Sequence, residues 1–268
     1  MKLNNFTYSL DEDGIVLLVW DMKDRSMNVI DTSVGQDILD VIEHVKTDAA
    51  VKGVIITSGK DSFCAGADLT MLDKTGRSYV ANVKLKGEKA AMAEFFEDTR
   101  SFSVVLRKLE TCGKPWVAAL TGLALGGGFE IALASHARIA AANPKGGVGL
   151  PEVKVGLFPG AGGTQRIPRM IPTQDALQML LKGDTIKLDR AKAMGLVDDV
   201  VPADQLIEAA KARLKAGVDP VKPWDKDKFR LPSGPVYSAA GMMTGPPANA
   251  IYRKETFDNY PGARAIMQ

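Results

Sequence analysis

W-V-A-A-L-T-G-L-A-L-G-G-G-F-E-I-A-L-A at residues 116–134, followed by G-L-P-E-V-K-V-G-L-F-P-G-A-G-G-T-Q-R at residues 149–166, decides how this chain is read. An apolar run of strand length passes into three glycines and then into a helix-like segment. Glu130 falls in the first turn of that segment, flanked by Leu125, Phe129, Ile131 and Leu133. Glu152 follows Gly149-Leu150-Pro151, again among apolar residues. A carboxylate in apolar company has its protonation shifted by burial, which is how proton-transfer groups are made.

Working back from this stretch, residues 6–20 read as two short strands around the turn residues Asp11–Gly14. Asp31 can cap a helix that carries Ile38, Val41, Ile42 and Val45 on one face. Gly53-Val54-Ile55-Ile56-Thr57-Ser58 is a buried strand. Strand, helix, strand in this order favours a right-handed crossover and a parallel sheet. The segment F-C-A-G-A-D-L at 63–69 follows directly. Its small residues fit either a tight turn or a close backbone approach to a ligand. Residues 70–90 are expected to be a mobile basic surface segment, and 91–111 a helix stopped by Lys114-Pro115.

Working forward, Ala137–Ala141 is a strand and residues 142–147 a loop. A helix begins near Thr164. Another opens at Pro172-Thr173 and closes at Gly183. Leu188–Met194 is a short helix, and Val197–Val201 an edge strand. From Pro202 the composition shifts: a helix over Asp204–Lys215, then a Pro- and Lys-rich connector, then a helix over Ala248–Glu255. The chain divides on this reading into a core, 1–201, and a C-terminal helical region, 202–268, which stops just inside a helix as a fragment of a longer protein would.

The 268 residues, 46% hydrophobic and 25% charged, suit an ordinary globular chain with a large core. A net charge of +2 gives no electrostatic case for nucleic acid or an anionic membrane. No run approaches about 18 apolar residues, and the N-terminus has no signal-peptide pattern. Two cysteines, Cys64 and Cys112, point to a reducing compartment, read as cytoplasmic. Cys64 and both histidines, His44 and His136, read as structural, and two histidines argue against a His triad or metal site. Met242 and Met243 are open to two readings, acyl-pocket lining and core filling, of which core filling is preferred.

The chemistry gathers at the glycines. The first amides of a helix lack intrahelical partners and sit at the positive end of its dipole. The Gly127 N–H is therefore a candidate half of an oxyanion hole, and the Ala65 N–H is the best candidate for the other half. Such a hole with two carboxylates beyond it suits proton chemistry at the α and β carbons of an acyl thioester.

The segments at 63–69, 124–130, 149–152 and 159–166 together resemble the crotonase, or enoyl-CoA hydratase/isomerase, superfamily, over roughly residues 5–200. The resemblance implies an α/β fold, a spiral of ββα units in two roughly perpendicular sheets with helices outside, and trimers or dimers of trimers. It implies that Glu130 and Glu152 are catalytic, that Ala65 and Gly127 supply the oxyanion amides, and that the backbone of Ala65, Gly66, Ala67 and Asp68 lines CoA. It implies water addition to a trans-2-enoyl-CoA without metal or redox cofactor, Glu152 protonating C2 and Glu130 activating the water. Within the family the chain is most similar to the N-terminal hydratase part of multifunctional fatty-acid oxidation enzymes, so a larger complex is a further expectation. A Δ3-Δ2-enoyl-CoA isomerase, and a non-catalytic binding or assembly module of the same fold, are the rival readings.

Overall fold

The computed structural model describes residues 1–268, with the side chain of Ala240 left aside. A hairpin of β1 (Phe6–Leu10) and β2 (Ile15–Trp20) leads through α1 (Thr32–Thr47) to β3 (Gly53–Ser58). Next come α2 (Leu69–Lys86), α3 (Glu88–Thr111), β4 (Trp116–Leu120), β5 (Leu123–Leu125), α4 (Gly127–Ala134) and β6 (Ala137–Ala141). β7 (Gly147–Gly149) and a 3₁₀ turn, Pro151–Val155, precede α5 (Gly163–Met170), α6 (Thr173–Lys182) and α7 (Leu188–Ala193). The chain ends with β8 (Asp199–Val201), α8 (Leu206–Lys215), α9 (Ala239–Thr256) and α10 (Pro261–Met267).

Six strands form one sheet in the order β1-β2-β3-β4-β6-β8, and β5 pairs with β7 in a second, small sheet. Only the β1–β2 pair is antiparallel; β2, β3, β4, β6 and β8 run parallel. Side chains alternate across a strand, and here both faces are covered. Leu18, Trp20, Val54, Ile56, Ala118 and Leu120 meet α1, α3 and α4 on one face. Ile15, Ile55, Val117, Ala119 and Ile139 meet Leu206 and Ala210 of α8 on the other. Burial on both faces is why β3 reads as an unbroken apolar run. α1 forms where the spacing puts it, its N-cap Asp31 accepting from the Val34 N–H at 3.0 Å.

Three expectations change. Residues 69–86 are helical, although none is buried in α2. The helix is started by its cap: Asp68 Oδ1 accepts from the Thr70 and Met71 amides at 2.7 and 3.2 Å. Tyr79 packs on Phe95 of α3 with ring centroids 5.0 Å apart. Second, α9 runs through Pro246 and Pro247 rather than starting after them. Each proline lacks the N–H that would bond the carbonyl four residues back, so Met242 and Met243 carry the break. Third, Met242 and Met243 are 56% and 78% exposed and fill no core. Past Pro202, α8 covers the sheet's second face. No helix among the described residues is long and apolar enough to cross a membrane.

Candidate active site

Three stretches distant in sequence lie side by side. β5 pairs in parallel with β7, Leu125 opposite Gly149. On its other side Ala124 bridges Cys64, with the Leu125 N–H donating to the Cys64 carbonyl at 3.0 Å. The segments 63–67, 123–130 and 147–152 thus reach one place from different parts of the chain. Gly126 makes the turn from β5 into α4 with φ +55, a conformation that L side chains rarely adopt. A Cβ there would lie 3.2 Å from Glu152 Oε1 and 3.4 Å from Gly66 Cα. A Cβ on Gly127 would lie 3.9 Å from Glu130 Oε2. Both carboxylates therefore close on the same glycine turn.

The two acids are held differently. Glu130 is 2% exposed, and its Oε1 accepts from the Ala161 N–H at 2.8 Å and the Gly163 N–H at 2.7 Å. Gly163 opens α5, so this oxygen sits at a helix N-terminus, where negative charge is favoured. Burial raises the Glu130 carboxyl, against the pull of those amides and of Arg166. Glu152 Oε2 is buried without a hydrogen-bond partner. Burial first, and the charge of Glu130 second, push its carboxyl up to about 8. One proton shared between two neighbouring carboxylates resides on the one with no donors. Of the two, Glu130 has the donors that favour a charge and Glu152 Oε2 has none.

The oxyanion assignment has to be corrected at one position. The Ala65 N–H donates to the Asn28 carbonyl at 2.9 Å, so it is not available to a thioester oxygen. Gly66, with φ +106, then flips the direction of the following amides. The Ile30 N–H donates to the Gly66 carbonyl at 2.8 Å, and the Asp68 N–H to the Ile30 carbonyl at 2.9 Å. In such a parallel bridge the intervening residue, Ala67, turns its own amide the other way. Leu125 and Gly126 lie within 4 Å of a Cβ built on Gly66, the residue before it. Gly127 is the first residue of α4, where the amide has no intrahelical partner. Ala67 and Gly127, rather than Ala65 and Gly127, are the pair the backbone offers.

Asp68 is 7% exposed and occupied by its capping bonds and by Arg25 Nη2 at 2.7 Å. Burial pushes its carboxyl up, but the Met71 and Thr70 amides and Arg25 outweigh that and hold it below the usual range. It is a structural anion that shapes the start of α2. His136 is structural too: its Nδ1 accepts from the Trp116 N–H at 3.0 Å, and burial with nearby Lys222 pushes it down to about 4. Cys64 is fully buried, and burial pushes its thiol up to about 12. The sequence reading missed Ala161 and Gly163, which act through their amides. The glycine-rich segment ahead of α5 was the available signal.

The chain is similar to known proteins in sequence and in fold. Residues 12–219 match the sequence profile of the enoyl-CoA hydratase/isomerase family. The fatty acid oxidation complex subunit alpha of Shewanella halifaxensis is 38% identical over 264 residues, covering 98% of this chain and 35% of that one. Its counterpart in Shewanella loihica is 40% identical over 277 residues, with the same coverage of each chain. The chain thus spans about a third of the length of these curated relatives. Among solved structures, the enoyl-CoA hydratase of Bacillus anthracis aligns with a TM-score of 0.65 at 29% identity, over 79% of this chain and 76% of that one. Pseudomonas aeruginosa DspI aligns with a TM-score of 0.68 at 27% identity, over 95% and 96%. The profile takes in every element from β2 to α8, both glutamates and the glycine turn between them, and the chain belongs to the enoyl-CoA hydratase/isomerase family.

Proposed function

We propose that this chain adds water to the C2=C3 bond of a trans-2-enoyl-CoA. The observation that carries the reading is the unequal pair: Glu130 Oε1 held by two amides, Glu152 Oε2 held by none. In this reading Glu130 takes a proton from a water whose oxygen bonds to C3. The π electrons move onto the thioester oxygen as an enolate, which accepts from the Ala67 and Gly127 amides. As the carbonyl re-forms, C2 takes the proton of Glu152. Glu130 then holds a proton and Glu152 a charge, and passing that proton back resets the pair. Carboxylates and amides supply every step, so neither metal nor redox cofactor takes part.

The backbone of Ala65–Asp68 borders the oxyanion position, so we assign this segment to the CoA arm. The names of the Shewanella relatives support a place in fatty-acid oxidation and in a larger complex; a trimer, a hexamer or part of a multifunctional enzyme is the assembly this reading expects. Two buried free cysteines fit a reducing, cytoplasmic setting. Δ3-Δ2 isomerisation is the second reading, because a protonated Glu152 beside an enolate can also shuttle one proton along the acyl chain.

The test is crotonyl-CoA hydration by the wild-type chain and by Glu152→Gln, with CoA binding measured in parallel. The reading requires turnover by the former, and by the latter loss of about 10²–10⁴-fold with binding retained. Near-normal turnover by the variant removes Glu152 from the mechanism.

A further inference from the structure

Glu130 does not orient itself. Its Oε1 is placed by the amides of Ala161 and Gly163, and Oε2 is thereby left toward Gly127. The loop that carries those amides is in turn held from behind. Arg166 Nη1 donates to the Ala161 carbonyl at 2.6 Å, and a Cβ on Gly162 would lie 2.4 Å from that same nitrogen. The rest of the guanidinium forks onto Glu110 of α3, Nε to Oε1 at 2.8 Å and Nη2 to Oε2 at 3.1 Å. Arg166 and Glu110 are 6% and 2% exposed. Glu110 Oε2 also accepts from Arg107 Nη1 at 3.1 Å, and Arg107 is bidentate to Asp225 in the C-terminal connector.

A buried ion pair is a poor way to gain stability, because desolvation offsets most of the attraction and apolar replacements are often neutral or better. What a forked guanidinium does supply is direction. We propose that the Arg166–Glu110 pair is a positioning device: it fixes the 159–163 loop so that two amides clamp one oxygen of Glu130 and present the other to the reacting water. The inference rests on Glu130 being the base. Arg166 and Glu110 are positioning residues: they act on Glu130 through the loop, and the Arg166 charge also favours its ionised form, which Arg166→Lys retains. A displacement of the base by about 1 Å can lower turnover by about 10²-fold.

The experiment compares wild type, the double variant Glu110→Leu/Arg166→Met, and Arg166→Lys. Each is followed by thermal unfolding, by crotonyl-CoA hydration, and by amide hydrogen exchange at Ala161 and Gly163 against reference amides in β3 and β4. The double variant should unfold near the wild-type temperature, because an apolar pair of similar volume replaces the ions. Its kcat should nonetheless fall by about 10²-fold with KM near the wild-type value. Its Ala161 and Gly163 amides should exchange faster while those of β3 and β4 do not. Wild-type kcat in the double variant, with both amides still protected, overturns the proposal. If the double variant fails to fold, Arg166→Lys decides: it keeps the charge but not the fork, and must show the same selective loss of protection and of kcat. Unchanged protection and unchanged kcat in Arg166→Lys overturn the proposal as well. A wild-type chain that does not hydrate crotonyl-CoA would fail the hydratase reading, while the exchange data would still judge the positioning.

Discussion

Replacing Glu152 by Gln should change how stability depends on pH more than it changes stability at any one pH. Burial, and then the charge of Glu130, move this carboxyl from 4.5 to about 8. Between those values the folded chain keeps a proton that the unfolded chain has released. The unfolding free energy therefore falls as pH rises, by about 1.4 kcal/mol per pH unit. The contribution is complete below the unfolded value and is gone once pH has risen through the folded value. Across the window the ceiling is about 5 kcal/mol, and water reaching this partly exposed residue brings it down. The E152Q chain has no such proton to keep. Its amide takes the place of an oxygen that has no partner, which adds a roughly constant penalty of about 1–3 kcal/mol at every pH. Urea unfolding of both chains from about pH 5 to about pH 9, with a common m value, isolates the slope. The stability of E152Q relative to wild type should climb by about 1 kcal/mol per unit up to about pH 8 and then level off. Parallel curves would refute the raised carboxyl, and with it the assignment of Glu152 as the proton donor.

Other outcomes follow from the same geometry. Glu130→Gln should lower crotonyl-CoA hydration by about 10²–10⁴-fold and Δ3-Δ2 isomerisation by less, because only hydration needs an oriented water; equal losses would contradict the division of roles. Gly126→Ala places a Cβ 3.2 Å from Glu152 Oε1 at a left-handed φ, so kcat should drop together with about 1 kcal/mol or more of stability, read by parallel kinetics and denaturation. The Cys64 thiol, fully buried and pushed up to about 12, should resist alkylation in the folded chain at pH values where the unfolded chain reacts readily, as a labelling time course would show.

Where burial leaves a pattern, the sequence could be read. β3 announced itself because both its faces are covered. α1 did so because Ile38, Val41, Ile42 and Val45 line one buried stripe. Glu130 and Glu152 stood out because charge among apolar residues is rare without a role. α2 was missed because it buries nothing, so it has no stripe to find, and its only local signal was the Asp68 cap. α9 was placed too late because two prolines normally end a helix, and here the helix continues past them. The assignment of the second oxyanion amide to Ala65 fails for a subtler reason. Which amide faces the ligand depends on a backbone flip at Gly66, a φ value that residue type permits but does not specify. The clamp on Glu130 escaped notice for a related reason: it is built from main-chain N–H groups, which every residue but proline carries.

The claim beneath all of this is spatial, and a crystal structure with a bound acyl-CoA analogue that cannot be hydrated tests it most directly. The thioester oxygen should lie within hydrogen-bond distance of the Ala67 and Gly127 N–H groups, with C3 nearer Glu130 and C2 nearer Glu152. A thioester seated away from the Gly126–Gly127 turn, or an oxygen bound by the Ala65 amide with its Asn28 bond broken, would contradict it.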